Sequence, residues 1–131
     1  MRVLLDTHIL LWALAEPRRL DRGLRATIES SDTEVLFSAA SIWEIAIKSG
    51  LGRSDFALDA EEIAQAALDT GFTEVAVRAK AAALVARLPL LHRDPFDRVL
   101  VAQAIVEPAT LYTADQQLVP YSDLVRHVGS T

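Results

Sequence analysis

The sequence predicts a single α/β domain built around a mostly parallel sheet, and three observations lead there. A chain of 131 residues supports one hydrophobic core but not two, so residues 1–131 are taken as one domain. Short apolar runs alternate along it with stretches of helical composition and cap signals, the pattern of repeated strand–helix units. Hydrophobic residues make up 51% and charged residues 24%, with only five Gly and five Pro, which excludes a disordered or fibrous chain.

Each element has its own signal. Arg2-Val3-Leu4-Leu5-Asp6 is an apolar run closed by an acid, as in a strand covered on both faces, and Asp6 falls at its carboxyl end. Thr7 to Ala15, rich in Leu and Ala and halted before Pro17, is the helix that follows. Asp21 caps a second helix to about Ser30, and Glu34-Val35-Leu36-Phe37 is a second buried strand. The next helix begins at Ser38 or Ser41 and ends at Gly50. Asp59, with Glu62 three residues on, opens an Ala-rich helix that runs to Gly71. Thr73 to Val77 is a short third strand, and Ala79 to Leu88 is helical until Pro89 stops it. Asp94-Pro95 sets a capping acid before a proline at the first helical position, and that helix carries through Ile105 to Pro108. Thr110 to Thr113 is the fourth strand, Asp115 caps a short helix, and a last strand lies near Leu124 to Val128.

Several classes of function drop out. Without cysteine there is no disulfide framework, no thiolate zinc site and no cysteine nucleophile, which suits a reducing cytoplasm. Asp6 and His8 interrupt the apolar start where a secretory signal would continue, and no stretch approaches the roughly 18 apolar residues of a membrane span. A soluble cytoplasmic protein with no membrane contact is the expectation. There is no Gly-x-Ser-x-Gly elbow and no phosphate-cradling Gly-rich loop. The net charge of −5 opposes general electrostatic binding of nucleic acid, but two bound divalent cations would bring it to about −1 and place positive field where a phosphate goes.

In parallel α/β sheets the functional crevice lies beyond the carboxyl ends of the strands, which singles out Asp6 and Asp115, although either acid also serves as a helix cap. Glu44 lies among Ile42, Trp43, Ile45, Ala46 and Ile47, and shares one polar stripe with Ser41 and Lys48. That stripe either carries a Glu44–Lys48 ion pair on a solvent-facing strip or looks into a polar cleft. In His92-Arg93-Asp94-Pro95-Phe96-Asp97-Arg98, the cap role belongs to Asp94, and Asp97, one turn inside, is the better ligand. Four acids from distant places, Asp6, Glu44, Asp97 and Asp115, suit hard cations such as Mg2+ or Mn2+, which activate water for in-line attack on phosphorus. Zinc fits less well, because His8, His92 and His127 are not spaced as a pair on one helical turn.

Val3-Leu4-Leu5-Asp6-Thr7-His8 with Leu11-Trp12, Ser41-Ile42-Trp43-Glu44-Ile45-Ala46-Ile47-Lys48, His92 to Arg98, and Tyr112-Thr113-Ala114-Asp115 together resemble the PIN-domain ribonucleases, and among them the VapC-type toxins. The resemblance spans essentially the whole chain in order. It implies a three-layer α/β/α sandwich, a magnesium-dependent endoribonuclease, a homodimer and a cognate antitoxin. Carried over, its acidic centre falls on Asp6, Glu44, Asp97 and Asp115, with Asp6 and Asp97 as direct metal ligands and Thr7, Ser41 and Thr113 as supporting hydroxyls. Arg93 and Arg98 flank Asp97 and are the expected RNA-backbone contacts, while Arg18, Arg19, Arg22 and Arg25 form a second basic group that is equally a solvated helix face. Two other readings remain: a PIN-fold RNA-processing nuclease that is not a toxin, and an interaction module whose acids only cap helices.

Overall fold

The computed structural model describes residues 1–51 and 58–129. Its strands are β1 (Arg2–Leu5), β2 (Glu34–Ser38), β3 (Thr73–Val75), β4 (Thr110–Thr113) and β5 (Val125–His127). The helices are α1 (Thr7–Ala15), α2 (Arg22–Glu29), α3 (Ala39–Gly50), α4 (Ala60–Thr70), α5 (Ala79–Leu84) and α6 (Pro95–Val106), with short 3-10 turns at Pro17–Arg19, Val85–Arg87 and Gln116–Tyr121. The described strands form one sheet in the order β3-β2-β1-β4-β5, and every pairing is parallel. Leu4 sits at the centre, in register with Leu36 on one side and Leu111 on the other.

The apolar runs are continuous because both faces of the sheet are covered. Val3, Leu5, Val35 and Phe37 point to a layer holding Ile9, Leu10, Leu24 and Ala67 from α1, α2 and α4. Leu4, Leu36 and Leu111 point the other way, to Leu100, Val101 and Ala104 of α6 and to Leu118. Two helical layers thus sandwich the sheet, and each fully buried leucine contributes roughly 1.5–3 kcal/mol of burial free energy. α3 packs against α1 and α4 of one layer and α6 of the other.

The caps fall where short polar side chains allow them. Asp6, Asp21, Asp59 and Asp94 each accept hydrogen bonds from backbone amides of the first turn that follows. Ser38, rather than Ser41, starts α3 through its bond from the Ala40 amide. Gly71 ends α4 with φ of 99°, a left-handed conformation that a side chain would strain. Two expected elements are shorter than the sequence suggests. β3 stops at Val75, and α5 tightens into a 3-10 turn after Leu84, where the Val85 carbonyl accepts from the Leu88 amide and the Arg98 guanidinium donates to the carbonyls of Val85 and Leu88.

Strand order reverses at β1: β2 and β3 extend to one side, β4 and β5 to the other. The crevice between the carboxyl ends of β1 and β4 is therefore the switch point at which open α/β sheets bind ligands.

Candidate active site

A cleft of about 400 Å³ opens at that point, lined by Asp6, Thr7, Trp12, Glu44, Lys48, His92, Asp94, Asp97 and Asp115 among others. All four sequence-predicted acids reach it, each from a different element. Asp6 ends β1, Asp115 follows β4, Glu44 projects from α3 and Asp97 from the first turn of α6.

Asp6 is the most firmly fixed, at 3% exposure. Its Oδ1 accepts from the Ile9 amide at 2.8 Å, and its Oδ2 accepts from the Thr113 hydroxyl at 2.5 Å and the Ala114 amide at 2.9 Å. One carboxylate therefore caps α1 and ties the end of β1 to the end of β4. Burial pushes its pKa up, against the lowering effect of those three hydrogen bonds and of His8.

Glu44 is as deeply buried, and both of its oxygens have partners. The Thr7 hydroxyl donates to Oε1 at 2.6 Å, and Lys48 Nζ donates to Oε2 at 2.5 Å. Ser41 Oγ lies 3.0 Å from the same Thr7 hydroxyl. Both readings of the α3 stripe hold together: the Glu44–Lys48 pair exists, and it lies in the cleft rather than on an outer strip. Thr7, Ser41 and Thr113 are all buried.

Asp94 is the cap of α6, its Oδ1 accepting from Phe96 N at 2.9 Å and Asp97 N at 3.2 Å. Asp97 is left facing the cleft with 18% side-chain exposure. Its pKa is pushed up to about 8, first by burial and then by the negative charges of Asp94, Asp6, Glu44 and Asp115. Three acids remote in sequence therefore act on one carboxyl, which is the electrostatic mark of a cluster short of positive charge.

The sequence did not mark His92 as a site residue, yet it stands inside this cluster. Its Nε2 is 3.2 Å from Asp97 Oδ2 and 2.7 Å from Asp115 Oδ2. Donor atoms of His92, Asp97 and Asp115 all lie within 4.8 Å of one another, a set compatible with a single metal ion. Asp6 and Glu44 line the same cleft outside that triad. The residue types, one imidazole and several carboxylates of which only Glu44 is paired with a lysine, fit a divalent cation. His92 stood in the sequence only as the first residue of the His92 to Arg98 segment, two positions before a helix cap, which says nothing about which way the ring turns.

Arg98 faces elsewhere: its guanidinium donates at 3.1 Å to both Val85 O and Leu88 O. Arg93 lines a neighbouring hollow with Leu90, Leu91, His92 and Gln117. Trp12 lines the cleft wall with Arg19 stacked over its ring at 4.4 Å. Trp43, 62% exposed, stands edge-on to Phe96 over a small apolar hollow of about 160 Å³ completed by Ala40, Val77, Pro95 and Val99.

The chain that carries these acids on a parallel sheet matches a known family. The PIN domain family model matches residues 3–123, and the chain belongs to the PIN-domain family. Within it, the chain is 34% identical over 120 residues to ribonuclease VapC22 of Mycobacterium tuberculosis, an alignment covering 88% of each protein. Two solved structures share the fold: VapBC2 from Rickettsia felis bound to a DNA fragment from their promoter, with a TM-score of 0.72 at 17% identity over 98% of this chain and 99% of that one, and FitAcB from Neisseria gonorrhoeae, with a TM-score of 0.61 at 18% identity over 95% of each. Among the described residues no helix is long and apolar enough to cross a membrane.

Proposed function

We propose that the protein is a metal-dependent endoribonuclease and the toxin half of a toxin–antitoxin pair, acting in the cytoplasm. The observation that carries this reading is the convergence of Asp6, Glu44, Asp97 and Asp115 on one cleft at the switch point. Kinship with ribonuclease VapC22 supplies the substrate class, and the VapBC2 and FitAcB structures support the pairing with an antitoxin.

The chain's own residues divide the work. Asp97, Asp115, Asp6 and Glu44 would hold Mg2+ or Mn2+. A divalent ion bound there supplies an activated water and offsets the charge of the attacked phosphate. Asp6, locked by Thr113 and Ala114, keeps the β1 and β4 sides of the cleft in fixed register. Lys48 leaves Glu44 paired within the cleft, so part of its negative charge is already compensated. Arg93, which lines the hollow beside His92, would contact the RNA backbone.

An acidic centre with only part of its charge compensated is also a target for a foreign cation. The antitoxin's tail would cross the apolar surface around Trp43 and Phe96 and send an Arg or Lys toward the acids, competing with metal. A homodimer is the toxin assembly proposed within that complex.

The test is cleavage of single-stranded RNA by purified protein with Mg2+ or Mn2+, with EDTA, and with Asp6→Asn and Asp97→Asn. Cleavage should need the ion and both acids, and added antitoxin should stop it. Undiminished cleavage in EDTA would refute the metal-dependent reading.

A further inference from the structure

An all-carboxylate metal centre has no use for His92, yet the fold takes care to place it. The Tyr121 hydroxyl accepts from the Leu91 amide at 3.0 Å and the His92 amide at 2.9 Å, and so fixes the loop from a turn 29 residues further on. That turn begins immediately after Asp115, and the His92 loop runs straight into the Asp94 cap that sets the first turn of α6 and hence Asp97. The three segments that carry His92, Asp97 and Asp115 are therefore tied to one another before any ligand arrives.

The ring itself is placed unusually. Nε2 is buried and close to two carboxylate oxygens, at 2.7 and 3.2 Å, but makes no hydrogen bond to either. The separations are those of contact, whereas the direction is wrong, since a ring N–H must point at its acceptor to bond it. A nitrogen held beside two carboxylate oxygens without bonding to them is the arrangement of a chelating set, whose atoms face a common point rather than one another. We infer that His92, Asp97 and Asp115 form a mixed nitrogen–oxygen subsite that holds Mn2+ in preference to Mg2+. This rests on the metal-dependent reading above. Mg2+ keeps its waters and takes carboxylates, whereas an imidazole ligand favours first-row transition ions. One nitrogen among the ligands therefore tilts the choice without excluding Mg2+.

The test is metal binding by the full chain, independent of cleavage. Mn2+ binding is followed by the loss of its free paramagnetic resonance signal, with Mg2+ as competitor, and pulsed measurements on the bound ion read whether nitrogen is coordinated. The wild type should show nitrogen modulation and bind Mn2+ more tightly than Mg2+. His92→Gln should lose the modulation and weaken Mn2+ by about tenfold or more while moving Mg2+ far less, and His8→Gln should keep both properties. Bound Mn2+ without nitrogen modulation in the wild type, modulation that survives His92→Gln, or equal losses for the two ions would overturn the inference while leaving a metal-dependent nuclease standing. Failure of the wild type to bind either ion would overturn both readings. The wild-type spectrum decides the ligand question even if a variant does not fold.

Discussion

Replacing the Asp97 carboxyl with an amide should make the protein more stable as it makes it inactive. Asp97 titrates near 8 when folded, against an ordinary carboxyl value of 3.8. Below about pH 4 both the folded and unfolded chains hold this proton, so the group has no effect on stability. Between about 4 and 8 only the folded chain holds it, and each rise of one pH unit lowers stability by about 1.4 kcal/mol. At pH 7 the accumulated cost is at most about 4 kcal/mol, and roughly half of that after side-chain relaxation and water entry. Asp97→Asn abolishes this term. In EDTA at pH 7 its Tm should lie about 5–10 °C above wild type, and the gap should shrink steadily toward pH 4.5. Saturating Mn2+ should close or reverse the gap, because only the wild type gains the binding free energy, about 2.7 kcal/mol at a hundredfold excess over Kd. Thermal unfolding followed by circular dichroism at several pH values, with and without ion, measures all of this. A variant less stable than wild type at pH 7 in EDTA, or a gap independent of pH, would refute the electrostatic account of the cluster.

Three further outcomes separate roles that lie close together. Thr113→Val removes the hydroxyl on buried Asp6, so urea denaturation should show a loss of about 1–3 kcal/mol. Asp94→Asn should keep both the α6 cap and RNA cleavage, whereas Asp94→Ala should cost about 1 kcal/mol in the same denaturation assay. Arg98→Gln should lower Tm by breaking the bonds to Val85 and Leu88 while leaving RNA affinity nearly unchanged, and Arg93→Gln should do the opposite, as fluorescence anisotropy with labelled RNA would show.

Most of the architecture was readable because its signals are local. An acid before a helix, a proline in the first turn and an apolar run of four residues each act over a few positions, and the caps at Asp6, Asp21, Asp59 and Asp94 form where those signals stand. The crevice was readable too, since topology carries strand-end acids to the switch point regardless of detail. What the sequence hid depends on long-range direction. Arg93 and Arg98 look alike beside Asp97, yet the Arg98 guanidinium is drawn to the carbonyls of Val85 and Leu88 in the turn that follows α5. His92 joins the acids because a tyrosine hydroxyl 29 residues away holds its backbone, and no spacing rule along the chain reports that. The ambiguity at Glu44 and Lys48 dissolved for a similar reason: an ion pair and a cleft wall are compatible once α3 packs against both helical layers.

The central position of β1 also sets an order of events during synthesis. Leu4 pairs with Leu36 on one side and Leu111 on the other, so the first strand made waits for one of the last to complete the sheet. Asp6 receives its Thr113 and Ala114 bonds at the same late moment. At ordinary elongation rates of about 5–20 residues per second, the 109 positions from Asp6 to Asp115 take roughly 5–20 s to translate. Until then the acids are strung along an unfinished polypeptide and hold no common site. The cleft at the switch point is therefore completed only when β4 arrives beside β1.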